Sequence, residues 1–181
     1  LGAGSDFAAF VQHVGVSSLN IEYLDSHMDG TYPQYHSRYD TYNYVQRFVD
    51  PNWEYHIAVS KVLGLLAKSI ADSFILPMDF TTYATYLNDG YIQLSTQLAA
   101  QQLPGVTTLD WSPLAQAIAD FHVAASQAQQ EVNKLNHNKN PDPFALRALN
   151  DRLFLTERAF LNYQGLPGQP WLRHMMYAPA S

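Results

Sequence analysis

Cysteine is missing from this sequence altogether. That excludes a disulfide framework, a thiol nucleophile and any zinc site built on thiolates. Basic residues are scarce: ten Lys and Arg stand against sixteen Asp and Glu, a net charge of −6. With no surplus of cations to neutralise phosphates, nucleic acid is excluded as a partner. No apolar run approaches the roughly 20 residues needed to cross a bilayer. The longest, Val62 to Ala67, is bracketed by Lys61 and Lys68. No secretory leader is visible, and no Asn-x-Ser/Thr sequon occurs. The chain also lacks His-Glu-x-x-His, a phosphate-binding glycine loop, a Gly-x-Ser-x-Gly elbow and a dinucleotide fingerprint.

What remains is a chain of 181 residues with 47% hydrophobic content, enough apolar material for a buried core. It begins without methionine in Leu1-Gly-Ala-Gly-Ser5, and is read as a fragment or processed product. Its character changes near residue 74. Ahead of that point, helix and strand patterns alternate. After Asp6, Phe7, Phe10, Val11 and Val14 recur at helical spacing, with Gly15 at the C-terminus. Val16 to Tyr23 reads as a strand and 24–34 as a polar loop. A short helix is expected over 41–48. Asp50-Pro51 is expected to start the next, with a core face of Tyr55, Ala58, Val59, Val62, Leu65, Leu66, Ser69 and Ile70. Such a mixture is the pattern of the end of an α/β domain, and a lone strand needs partners from upstream.

Beyond Leu76-Pro77 the pattern is helical, with helices expected at about 79–102, 110–137 and 142–160. The middle one carries Trp111, Leu114, Ile118, Phe121, Ala125, Ala128, Val132 and Leu135 as a bundle seam. The third is expected to bury Phe144, Leu146, Leu149, Leu153, Phe154 and Phe160. The tail, from Gly165 to Tyr177, is apolar but not helical at first, and reads as an interface or a truncation.

Among the histidines, His36 stands out. It follows Tyr35 and precedes Tyr39 and Asp40 in a tyrosine-rich loop, Thr31 to Tyr42. A zinc ligand needs a neutral imidazole whose other nitrogen is held by an acceptor. Spacing alone leaves a loop histidine bonded to backbone as the leading reading. Asp25, His27 and Asp29 alternate along one segment, but a solvated loop explains them better. His56 and His122 read as packing residues, His13 and His137 as residues of helix ends and turns, and His174 as a structural residue of the tail.

Several marks in order along the chain carry a resemblance: Gly4-Ser5-Asp6-Phe7, Tyr32-Pro-Gln-Tyr-His-Ser37, Asp50-Pro51 with Tyr55-His56, and Ala71-Asp-Ser-Phe-Ile-Leu-Pro77. Leu149-Asn-Asp-Arg-Leu153, Glu157-Arg-Ala-Phe160, Gly165-Leu-Pro167, Arg173-His174 and Tyr177-Ala-Pro179 continue it. Together they resemble the glutamate carboxypeptidase and transferrin-receptor family over essentially the whole chain. The resemblance implies a mixed fold. Residues 1–73 would close an α/β zinc-peptidase domain, and 74–181 would be an all-α helical-bundle dimerisation domain truncated at its C-terminus.

Enzymes of that family bind two zinc ions bridged by a carboxylate. A metal-bound hydroxide attacks the peptide carbonyl, and a glutamate is the general base. By resemblance, His36 is a zinc ligand, Tyr35 lies near the substrate, and Gly4 and Ser5 belong to the loop lining its pocket. The other ligands and the base match nothing here and would lie upstream. The expected partners are the upstream part of the same peptidase, a second copy in a homodimer and a peptide substrate. The isolated chain is expected to be inactive. Asn20 and Glu22 stand where glutamate carboxypeptidases have a pair of arginines, so an acidic substrate side chain would meet repulsion rather than attraction. Carboxypeptidase and aminopeptidase action both stay open. A non-catalytic receptor or sorting protein built on the same scaffold is the rival reading. His36 weighs against it, because transferrin receptors lack that histidine. Compartment stays open; by resemblance the parent carries a membrane anchor upstream.

Overall fold

A computed structural model describes residues 4–23, 33–101 and 109–177. The order of elements is α1 (Ala9–Val14), α2 (Tyr42–Tyr44, continuing as a wide turn over Val45–Val49), α3 (Glu54–Ala71), α4 (Phe80–Gln101), α5 (Ser112–Asn136), α6 (Pro143–Leu155) and a 3₁₀ turn (Thr156–Phe160). The chain divides into two compact units, one made of 1–73 and 155–181, the other of 74–154.

The second unit is a helical bundle. Its core joins Ile75, Val132, Leu149 and Leu153, with Leu76, Met78, Phe80, Leu135 and Leu146 packed against them. α4 and α5 run antiparallel, since Tyr83 meets Phe121 and, further along α4, Tyr91 meets Trp111 at the N-cap of α5. The seam expected on α5 is buried at Ile118, Ala125 and Val132, but Leu114 lies open. On α6, Leu149 and Leu153 are buried, whereas Phe144 at the first turn is exposed.

The segment entering this bundle is held by one side chain. Asn150 Oδ1 accepts from the Leu76 backbone N–H at 2.9 Å, and its Nδ2 donates to the Phe74 carbonyl at 2.8 Å. An amide side chain thus replaces the pairing a strand would supply, and Ile75 between these anchors is fixed into the core. The ion pairs nearby, Arg152 with Glu131 at 2.7 Å and Arg147 with Asp151 at 2.8 Å, are exposed and add little.

In the first unit the helix expected from Phe7, Phe10, Val11 and Val14 is present but wound more widely. α1 is a π-helix, with i→i+5 hydrogen bonds. The wider turn changes which residues face inward: Ala8, Val11 and Gln12 are buried, while Phe10 and Val14 are exposed. Gly15 ends it with a left-handed φ of 69°. A Cβ there would meet Leu161 Cδ1 at 2.9 Å and Arg158 Cα at 3.0 Å, so the site demands glycine for both conformation and space.

The strand expected over Val16 to Tyr23 does not form. Among the described residues the only β-type pairings are isolated bridges, Leu161 with His174 and Leu166 with Gln169. A strand exists only through a neighbour's ladder of hydrogen bonds, and among the described residues no neighbour forms one with this segment. The fold is therefore helical among the described residues, which build no α/β layer. α3 is corrected twice. It begins at Glu54, after a turn in which Trp53 adopts a left-handed φ of 60°. And its expected core face is not buried: no residue of α3 is, and Leu65 is 67% exposed.

Replacing Leu149 by Ala should cost about 3 kcal/mol, by loss of a fully buried side chain and the cavity left behind. Asn150→Ala should cost about 1–2 kcal/mol, by leaving the Phe74 and Leu76 backbone groups without their partner. Urea denaturation followed by the helical signal checks both. An Asn150→Ala variant as stable as the parent would show that water replaces the amide without loss.

Candidate functional site

His36 sits in a pair of tight turns over residues 33–40. Ser37 organises them. Its N–H donates to the Gln34 carbonyl at 3.0 Å, and its hydroxyl donates to the same oxygen at 2.7 Å. Its Oγ in turn accepts from the Tyr39 N–H at 3.1 Å, and the Asp40 N–H closes onto the Ser37 carbonyl at 3.2 Å. Thr41 then caps α2 by accepting from the Tyr44 N–H at 3.2 Å. The His36 backbone is left-handed, with φ of 62°. A side chain pays for that conformation with roughly 1 kcal/mol that glycine would not incur. The imidazole stacks on Tyr35, with ring centroids 3.9 Å apart and planes 21° from parallel, and both side chains face solvent.

The structure thus brings Tyr35 and His36 together, by stacking. Gly4 and Ser5 lie in the approach to α1, both exposed. The Ser5 carbonyl accepts from the Ala8 N–H at 3.0 Å, and open space surrounds Gly4. Asp25, His27 and Asp29 lie outside the described residues. Among the described residues, no group of three or more His, Cys, Asp or Glu is placed to hold a metal ion. The described donors therefore do not fit a complete zinc site; among them His36 is one exposed imidazole.

Two polar groupings were not legible as such in the sequence. The first is Asp50 with His56. Asp50 is buried, and its Oδ2 lies 2.7 Å from His56 Nδ1 and accepts from the His56 N–H at 2.9 Å. Burial alone would raise this carboxyl. The hydrogen bonds from the backbone and ring of His56 and the backbone of Glu54 outweigh it and hold Asp50 below its ordinary value. Asp50 thereby caps α3 from outside, which is why the helix starts later than Pro51 suggests.

The second is Glu157 with His174. The imidazole is fully buried, with Nε2 2.8 Å from Glu157 Oε1. Nδ1 accepts from the Met176 N–H at 3.2 Å, so the ring's proton is on Nε2 and is donated to the carboxylate. Rings of Phe160 and Tyr177 stack on it at 5.9 and 4.9 Å. Glu157 Oε2 also accepts from the Ser17 hydroxyl at 3.1 Å. Beside this group lies a cavity of about 110 Å³, walled by Phe7, Val11, Ser17, Asn20, Glu157 and Tyr177. Neither Tyr35 nor His36 reaches it.

Residues 109–181 match the transferrin receptor-like dimerisation domain. The chain is 35% identical to the aminopeptidase NAALADL1 of Mus musculus over 99% of its own length and 24% of that protein's. It is likewise 35% identical to LAMP1 of Arabidopsis thaliana, a probable glutamate carboxypeptidase, over 99% of the chain and 24% of the relative. A probable glutamate carboxypeptidase of Arthroderma benhamiae is 36% identical with the same coverage. Over nearly its whole length the chain is similar to members of the glutamate carboxypeptidase and transferrin-receptor family. It spans about a quarter of the length of these relatives.

Two outcomes follow from these geometries. Asp50 is held below the usual carboxylate value of 3.8 in the folded chain. Its contribution to stability is present above the unfolded value and is lost as pH falls through the folded one. The gap in melting temperature between the parent and Asp50→Asn should therefore be widest near neutrality and close in acid. A gap independent of pH would show that its charge does not matter. His36→Gly should melt within about 1 kcal/mol of the parent, because the imidazole holds a costly backbone state without burial. A large loss would make His36 a folding residue.

Proposed function

We propose that this chain is part of a zinc-dependent exopeptidase that dimerises through its helical half. The observation that carries the reading is coverage: peptidase relatives match the chain almost from end to end. In this reading residues 1–73 complete the peptidase domain and 74–181 form the dimerisation domain. His36 supplies one zinc ligand, Tyr35 contacts substrate beside it, and Gly4 and Ser5 line the substrate path. The strained backbone of His36 supports a functional role, since a residue kept in a left-handed turn without burial serves something other than packing.

The remaining ligands and the general base come from polypeptide beyond the described residues, so the chain alone is inactive. The open apolar face of α3 supports the same view, as the described residues leave it uncovered. The substrate is a peptide. Asn20 and Glu22 disfavour an acidic side chain near them, through the loss of positive charge and the added carboxylate. Relatives named aminopeptidase and carboxypeptidase both occur, so the end of the peptide attacked is left to experiment.

The test is metal analysis on the parent polypeptide and on this chain by itself. The parent should hold zinc and hydrolyse peptides, and His36→Gln should lose most of both. The isolated chain should hold no stoichiometric zinc. A His36→Gln parent with full zinc content and full activity would remove His36 from the site, and an active isolated chain would overturn the proposal as a whole.

A further inference from the structure

Glu157 and His174 lie within the residues matched by the dimerisation domain, yet they pack in the compact unit that contains α1. The tail folds back as a narrow loop. The Asn162 N–H donates to the Arg173 carbonyl at 2.8 Å, and the Met175 N–H to the Phe160 carbonyl at 3.0 Å. The Arg173 N–H then donates to the Gln12 carbonyl at 2.8 Å, and the Gln12 amide donates to the Tyr177 carbonyl. Among the described residues the segment after Gly15 has no strand partner, and Ser17 to Asn20 are exposed. One side-chain bond crosses to it from the tail: Ser17 to Glu157, over a separation of 140 residues.

The geometry points to Glu157 and His174 as a positioning pair through which the dimerisation-domain tail fixes the 16–20 segment. His174 cannot hold Glu157 in a second arrangement without losing something. Its Nδ1 is occupied by the Met176 N–H, and its ring is enclosed by Phe160 and Tyr177. Rotating the imidazole would bury an unsatisfied donor or acceptor. Glu157 is thus fixed on one oxygen and presents the other to Ser17. The order of control is tail, imidazole, carboxylate, hydroxyl, backbone of 16–20. None of it requires that the parent be a peptidase, so it stands or falls separately from that reading.

The test uses the 181-residue chain, with ¹⁵N relaxation order parameters of the 16–20 amides and ¹⁵N chemical shifts of the His174 ring at neutral pH. In the parent, His174 should show a single tautomer protonated on Nε2, and 16–20 should be ordered, at about 0.8. Glu157→Leu should lower the order parameters over 16–20 to about 0.6 or less and mix the tautomers, while amides of α5 and α6 near Val132 and Leu149 keep theirs. Glu157→Gln, whose amide can serve both partners, should restore most of the order. Because Glu157→Leu can fail to fold, Ser17→Ala is the second variant: it should lower the order parameters over 16–20 with the His174 signature unchanged. Parent-like order in Ser17→Ala, or a parent His174 with mixed tautomers, would overturn the assignment.

Discussion

The return of the tail onto α1 is the constraint on which the first unit depends. Gly15 makes it possible, because only a residue without a Cβ lets the backbone near Arg158 and the side chain of Leu161 come so close to the end of α1. Once there, the tail buries Leu161, Leu172 and His174 and satisfies backbone groups of α1 through Gln12 and Arg173. The compact unit that holds α1 thus draws on both ends of the sequence. The unit holding α1 is discontinuous, with 74–154 inserted in sequence between its two parts. The residues matched by the dimerisation domain, 109–181, run across both units. A family boundary drawn on sequence and a boundary drawn on packing answer different questions here.

Much of the helical half was legible because period and length agree. α4, α5 and α6 fall within a few residues of the windows set by the spacing of their apolar residues. What periodicity misjudged has physical reasons. In α1, π winding rotated Phe10 and Val14 outward and turned Ala8 and Gln12 inward, which a 3.6-residue template cannot anticipate. At α3, Asp50 reaches past Pro51 to cap later backbone, so the proline marks a turn rather than the first helical residue. Over 16–23, apolar content suggested a strand, but pairing belongs to a neighbour and not to the segment itself.

The candidate site was legible in a different way. Nothing in the spacing around His36 distinguishes a ligand from a loop histidine; the proposed ligand role rests on the order of short motifs, and the left-handed backbone adds an independent physical oddity. The Glu157 and His174 pair had no periodic signature at all. Its members are 17 residues apart, on a 3₁₀ turn and a loop, and their third partner is Ser17. Both stood in segments that mark the family, Glu157-Arg158 and Arg173-His174, yet a motif gives no partner until a fold brings one within reach.

α3 poses the sharpest energetic question. Ile57, Val62, Leu63, Leu65, Leu66 and Ile70 all remain substantially exposed on it. Fully covering an aliphatic side chain is worth about 1.5–3 kcal/mol, so even half of that over six residues approaches 5–10 kcal/mol. That is as large as the whole stability of an ordinary domain. Exposed lysines at 61 and 68 and the ion pair of Lys68 with Asp72 cannot offset it, since such surface charges contribute a fraction of a kcal/mol. An 18-residue helix with this composition is marginal alone in water. The ladder of backbone hydrogen bonds and the Asp50 cap specify where α3 begins, but burial would have to come from outside the helix to make it durable. In the proposed reading, a layer contributed by the rest of a peptidase domain would supply such burial without altering α3 itself. That reconciles a helix so well marked in sequence with one that the described chain leaves uncovered.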